Sequence, residues 1–218
     1  MNEIRINIGC GTMPTKGWIN LDGSPSVILS KYPLFVKFLK KLSILNEAQC
    51  AFITFISDNN IRYANAIKTL QFESNSVDVV YSSHMFEHLN KIDGQKFLQE
   101  VHRVLMPTLG IVRIAVPDIR KISQQFLNNP NSNAADVFME STGLCDPPRF
   151  NRFFSLFVKN RNHQWMYDGD SLSLLLLEFG FVDVKVVNPG MTSIQNYGDL
   201  NLNERESDSV YVEARKKI

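Results

Sequence analysis

The chain has 218 residues, 44% of them hydrophobic and 21% charged, with 11 glycines and 9 prolines, a composition that suits one globular domain and excludes collagen-like, low-complexity and wholly disordered chains. Lys and Arg number 23 against 22 Asp and Glu, a net charge of +1, so no global field draws nucleic acid or anionic membrane and partners must be argued from a local site. Cys10, Cys50 and Cys145 stand apart without a CxxC pair, which gives no disulfide framework, and neither a signal peptide nor a membrane-length apolar run is visible, so a soluble cytoplasmic protein is expected.

Ile4, Ile6 and Ile8 alternate with Arg5 and Asn7 before Gly9-Cys10-Gly11, which reads as a short strand running into a glycine turn at its carboxyl end. Trp18 to Asp22 reads as a second strand ending on a carboxylate. The short step between them leaves room for a loop or a very short helix. Pro33 to Leu45 carries Leu34, Phe35, Phe38, Leu39, Leu42 and Leu45 on one side and Lys37, Lys40 and Lys41 on the other. This amphipathic helix is expected to pack on its own domain, with peripheral contact to a membrane surface as the alternative. Val77 to Tyr81 is a third, β-branched strand. Phe97, Leu98, Val101, Val104 and Leu105 mark one face of a helix between Asp93 and Met106 that Pro107 ends, and Ile111 to Val116 follows as a buried strand stopped by Pro117. Strand, helix and strand in that order make a parallel crossover.

Asp170 is expected to cap a helix with the stripe Leu172, Leu175, Leu176 and Phe179, and Gly180 lies just past its end. Val182 to Val187 and Val210 to Ala214 are the last strands. No helical stripe separates them, so they should pair antiparallel through a loop. Segments 27–60 and 118–168 break the alternation and read as helical insertions in a single domain spanning 1–218.

Two glycines let backbone N–H groups approach a ligand where open α/β sheets bind theirs, and Asp22 is placed to accept both hydroxyls of a ribose. The third glycine of GxGxxG is Pro14 here. Nicotinamide-dependent oxidoreductases share the glycines and the carboxylate. His84-Met85-Phe86-Glu87-His88 spells HxxEH, the inverted zinc-peptidase signature, but that motif needs one continuous helix, whereas here it follows a strand directly. No metal is therefore expected; Glu87 and His88 are expected to cap and orient a short helix while His84 faces the cleft. His102 lies off its helix's apolar stripe and is expected to be solvated. His163, within Asn162 to Asp168, sits among aromatic and amide side chains suited to a polar acceptor such as a sugar, or alternatively closes a core aromatic cluster.

Asn7 to Gly11, Gly17 to Asp22, Leu70-Gln71-Phe72 with Ser76 to Leu89, and Glu100 to Leu105 with Val116-Pro117-Asp118, in this order and spacing, resemble class I S-adenosylmethionine-dependent methyltransferases. The resemblance is to the type-11-like family, small enzymes often found beside polysaccharide biosynthesis; it covers residues 4–118 well and the terminal helix and strand pair fairly. It implies an α/β, Rossmann-like three-layer sandwich whose mostly parallel seven-stranded sheet has an antiparallel last strand. It also implies that S-adenosylmethionine is the cofactor, with Gly9, Cys10 and Gly11 along its methionine part and Asp22 on its ribose. Asn65, where the family usually has Asp, would meet the adenine amino group with Ala66 beside it, and Ser82 would face the sulfonium. Asn7 stands where an acidic residue is common and Gln71 where Pro is usual. The activity implied is O-methylation of a sugar or other small polar acceptor. His84 near the donor and His163 on the acceptor side are the expected catalytic residues. A catalytically silent cofactor-binding or scaffold protein is one alternative. A nicotinamide-dependent oxidoreductase is the other, and the antiparallel ending and the short glycine-to-Asp22 spacing argue against it.

Overall fold

Seven strands form one sheet in the computed structural model, which describes residues 3–144 and 162–217. They are β1 (Arg5–Ile8), β2 (Ile19–Asp22), β3 (Arg62–Tyr63), β4 (Val79–Ser83), β5 (Ile111–Pro117), β6 (Phe181–Val187) and β7 (Ser209–Lys216), in the spatial order β3-β2-β1-β4-β5-β7-β6. β7 runs antiparallel to both β5 and β6, and the strands from β3 to β5 are parallel to one another. The order reverses between β1 and β4. Open α/β sheets take their ligands beside such a switch point, at the carboxyl ends of the strands.

The two faces of the sheet are covered differently. Val80 of β4, Val112, Ile114 and Val116 of β5, and Val210, Val212 and Ala214 of β7 point one way, as period-two alternation requires. They meet Phe97, Leu98, Val101 and Val104 of α4 (Lys91–Val104) and Leu172 and Leu176 of α7 (Gly169–Glu178), which form the main core. On the opposite face Val79, Tyr81 and Ile111 pack under Ile194, Leu200 and Leu202. The covering layer there is the 188–208 loop, held down by Tyr81, whose hydroxyl donates to the Asn201 carbonyl at 3.1 Å, and by Tyr211, whose hydroxyl donates to the Glu204 carbonyl at 2.7 Å. Between sheet and loop lies a cross-strand pair of buried charges. Arg113 of β5 stands opposite Glu213 of β7, and its Nη1 donates to Glu213 Oε1 at 2.7 Å and to the Met191 carbonyl at 2.8 Å.

Segment 25–58 holds three helices, α1 (Pro25–Leu29), α2 (Pro33–Lys41) and α3 (Glu47–Asp58); α5 (Ile119–Leu127) and α6 (Ala134–Thr142) follow β5. The rest of the second insertion, 145–161, lies outside the described residues, as does Cys145. α3 starts on a capping box in which the Asn46 side chain accepts from Gln49 N and the Gln49 side chain accepts from Asn46 N, a reciprocal pairing that satisfies two end N–H groups. α2 departs from its expected packing. It touches α1 and α3, yet none of its residues is buried, and Leu34, Phe35, Phe38 and Leu42 are 80, 50, 54 and 53% exposed.

Three smaller expectations are corrected. Asp168, not Asp170, caps α7: its carboxylate accepts from Ser171 N at 2.8 Å, while Ser171 Oγ accepts from Asp168 N at 3.0 Å. The hydrogen bonds from Ser171, with the Arg120 guanidinium, hold its carboxyl down at about 2. Asp170 sits too far into the helix to reach those N–H groups and pairs with Arg120 at the surface. His102 is not simply solvated, because its ring stands edge-on to Phe181 with centroids 5.2 Å apart. The third strand begins two residues later than its β-branched run, because Val77 is used in a bridge to Leu105.

Candidate active site

The glycine turn leaves β1 with Gly9 at φ +75° and Gly11 at φ +50°, left-handed backbone that glycine adopts without strain. Their side-chain hydrogens serve different ends. A Cβ on Gly9 would lie 2.4 Å from Met85 Cγ, so Gly9 lets the turn close onto the segment that follows β4; a Cβ on Gly11 would meet nothing within 4 Å, so that glycine faces open space. Gly11 N donates to Asp22 Oδ2 at 3.0 Å and Ser24 N to Asp22 Oδ1 at 2.7 Å. Each carboxylate oxygen keeps a lone pair for a further donor. Cys10 turns its side chain inward, onto Val27, Ile56 and Ile61. Burial, reinforced by the Asp22 carboxylate, raises its thiol to about 12. Any part of Cys10 offered to a ligand is therefore backbone. Asn65 follows β3, where its Oδ1 accepts from Ile67 N at 3.2 Å and Ala66 packs against the main core.

At the end of β4, Ser82 and Ser83 are buried, and among the described residues neither hydroxyl has a hydrogen-bond partner. Orphaned hydroxyls of this kind are rare in folded proteins and mark places for a ligand atom or water. His84 then takes a left-handed backbone, φ +48°, unusual outside glycine, with its N–H donating to the Ala115 carbonyl at 2.9 Å. Its Nε2 lies 2.9 Å from Ser209 Oγ and its Nδ1 3.4 Å from both Arg205 Nη1 and Glu87 Oε1. The short helix expected after the motif is a single 3-10 turn, Phe86–His88, and it carries Glu87 wholly inside, with 0% exposure. His163 comes in from the insertion: Nδ1 lies 2.7 Å from the Thr142 carbonyl and Nε2 3.8 Å from Glu87 Oε1. Burial pushes its pKa down, only partly offset by the Glu87 carboxylate. The His88 ring stands edge-on to His163, with centroids 4.9 Å apart.

The two expected histidines, His84 and His163, are thus brought to one carboxylate, and Gly9 reaches the same segment through Met85. The sequence points to Glu87 and His88 as helix-orienting groups; the structure adds them to the cluster. The HxxEH spacing was the available signal. On one helix its two histidines would share a face, whereas here a strand end and one 3-10 turn present the motif, and the partner histidine arrives from residue 163.

Comparison with known families supplies the decisive observation. Residues 6–110, the stretch holding the glycine turn, Asp22, Ser82 and the His84–His88 segment, match the type-11 methyltransferase domain family. That stretch is a methyltransferase domain, whose methyl donor is S-adenosylmethionine, and the nicotinamide reading gives way. No curated protein sequence matches. Among solved structures, a Thermotoga maritima methyltransferase described as a possible histamine N-methyltransferase is 16% identical, with TM-score 0.51, all of this chain and 84% of that one being covered. A protein from Pyrococcus horikoshii is 15% identical at TM-score 0.52, covering 100% and 83%. Phosphoethanolamine N-methyltransferase 2 from Haemonchus contortus is 16% identical at TM-score 0.48, and this chain spans 50% of its length. At these identities the likeness is one of fold. The methyltransferase's own residues fit the cofactor: open space before Gly11 and a pre-oriented carboxylate on Asp22 are what close backbone approach and a vicinal diol need, and Ser82 supplies an unsatisfied hydroxyl at the end of the central strand.

Proposed function

We propose that this methyltransferase methylates a hydroxyl of a sugar or another small polar acceptor. The observation that carries the reading is the contact of Gly9 with Met85, which sets the donor-side turn against the very segment that carries His84 and Glu87. An acceptor beside that segment has the His84 and His163 imidazoles within reach, and a hydroxyl needs polar partners when it leaves water. Bound S-adenosylmethionine supplies an electrophilic methyl on sulfur. Gly9, Gly11 and Asp22 hold that donor in place, Asn65 and Ala66 line its adenine end, and Ser82 lies at the sulfonium end. His84 helps to orient the acceptor hydroxyl and His163 binds it and relieves it of its proton, the two tasks that proximity and proton transfer set.

Asp22 tests the donor half. Asp22→Ala removes the acceptor of two ribose hydroxyls and also the anchor of Gly11 N and Ser24 N, so S-adenosylmethionine should bind more weakly by about 1–3 kcal/mol. Calorimetric titration measures it directly. Unchanged affinity in a folded variant would remove Asp22 from the cofactor site.

The exposed face of α2 bears on where the enzyme works, and an anionic membrane surface is the occupant we assign to it. Between Gly23 and Asn46 there are four lysines, Lys31, Lys37, Lys40 and Lys41, and no Asp or Glu. They flank Leu34, Phe35, Phe38 and Leu42, the pairing of apolar stripe and basic rim that holds a helix in a lipid interface; each lysine near such a surface contributes about 1 kcal/mol. Among the described residues no helix is long and apolar enough to cross a membrane. The enzyme should sediment with phosphatidylglycerol vesicles, less so in high salt, and not with phosphatidylcholine alone. Phe35→Ser with Phe38→Ser should release it. Equal sedimentation of the double variant, or a loss of dimer rather than of vesicle binding, overturns the assignment.

A further inference from the structure

We infer that Glu87, His88 and His163 form a site for one divalent transition-metal cation, zinc being the best match. A carbonyl can only accept, so the Thr142 carbonyl 2.7 Å from His163 Nδ1 places the ring proton there and leaves the lone pair on Nε2. That lone pair faces Glu87 Oε1 at 3.8 Å. His88 repeats the arrangement more loosely, with Nδ1 3.4 Å from the Asn162 carbonyl. Glu87 is fully buried, and among the described residues neither of its oxygens receives a hydrogen bond. His84 does not repair this: its Nδ1, 3.4 Å from Oε1, also faces the Arg205 guanidinium, a group that only donates, and its Nε2 faces Ser209 Oγ. One ligand atom from each of Glu87, His88 and His163 lies within 4.8 Å of the others.

Three acceptors therefore converge with no donor among them, and an uncompensated buried carboxylate is costly. A cation between them resolves the conflict. Two imidazoles and one carboxylate are a recurrent zinc set, with an open fourth position, and backbone carbonyls on the outer ring nitrogens orient such histidines. Ligands about 2.1 Å from zinc in tetrahedral geometry stand about 3.4 Å apart, so a closure of the observed spacing by small side-chain rotations suffices.

What the cation does rests on the methyltransferase reading above. With the cation in place His163 acts through it and not as a free base: an acceptor hydroxyl at the open position releases its proton to solvent at lower pH than it would free. Its oxygen lone pair then forms the new O–C bond as the S–C bond of the donor breaks, with that electron pair remaining on sulfur.

Metal binding is measured without activity. The purified full chain, stripped with chelator and dialysed, is titrated with cobalt(II) and zinc(II), followed by ligand-field absorption and calorimetry. One equivalent should bind, without thiolate charge-transfer bands. Glu87→Gln, which keeps shape, and His88→Gln and His163→Gln should each weaken binding about tenfold or more, whereas His102→Gln should not. Substoichiometric binding lost on dialysis, or affinity untouched in Glu87→Gln and His163→Gln, overturns the site. S-adenosylmethionine titration of the same preparations separates the two readings. Cofactor binding without metal defeats this inference alone, and metal binding without cofactor defeats the methyltransferase assignment alone.

Discussion

Glu213→Ala should lower stability by about 3–5 kcal/mol, the loss typical when one partner of a buried ion pair is removed. Arg113 is 0% exposed and Glu213 2%, so the alanine variant leaves a guanidinium in the core without its counter-charge, held by the Met191 and Leu202 carbonyls and the face of the Tyr211 ring. It also frees the loop, because Glu213 accepts from Thr192 Oγ1 at 2.6 Å and from Ser193 N at 2.8 Å. For a chain of this size each kcal/mol moves the melting temperature by about 2–4 °C, so a fall of about 6–20 °C is expected in thermal denaturation. Burial alone would push the Glu213 carboxyl up; the hydrogen bonds from Thr192, Ser193 and Arg113 outweigh it and hold the pKa below its ordinary 4.5. A depressed carboxyl contributes stability that is fully present above pH 4.5 and is lost as pH falls through the lower, folded value. Glu213→Gln should flatten that acid limb. A melting temperature within a degree of wild type for Glu213→Ala would show that the pair does not hold the loop.

That pair also shows where sequence reading stops. Arg113 interrupts Ile111-Val112 and Ile114-Ala115, and Glu213 lies between Val212 and Ala214, so both break an apolar run, but nothing local says that β5 and β7 align them. Register is a property of two strands. The parallel order, the glycine turn and the antiparallel ending were legible, because alternation, glycine placement and the lack of a helical stripe before β7 are local signals. β3 was not, since the two-residue strand Arg62–Tyr63 is too short to alternate, and α3 was covered only as part of the 27–60 helical insertion because its apolar stripe is weak. The lysine-flanked stripe of α2 was visible, but whether a stripe is covered is decided by neighbours that residues 33–45 do not specify. At the site, Asp22 and the glycines were readable from order and spacing. Glu87 was not readable as the centre of the histidine cluster, because that role depends on His163 reaching it from beyond the second insertion.

His163→Gln should reduce methyl transfer by about 10²–10⁴, the range for a positioned group that handles the acceptor proton, while S-adenosylmethionine affinity stays within about twofold of wild type. The separation follows from position. His163 arrives on the insertion and faces Glu87, with its side chain 11% exposed, whereas the donor is held by a turn and a carboxylate on β1 and β2. Loss of turnover without loss of donor binding is therefore the mark of an acceptor-side group. Misfolding could mimic a loss of turnover, and Gly143 provides the control. It ends α6 at φ +61°, its carbonyl accepts from His163 N at 2.9 Å, and a Cβ there would lie 2.7 Å from His163 Nδ1. Gly143→Ala keeps every chemical group of the cluster but pushes the imidazole off its place, so it should lower turnover in the same direction and by less, again with donor affinity intact. Rates of S-adenosylhomocysteine formation on a panel of sugars, with calorimetry of donor binding alongside, measure both variants. If His163→Gln and Gly143→Ala turn over as wild type does, His163 has no part in the reaction and the acceptor lies elsewhere along the carboxyl ends of the strands.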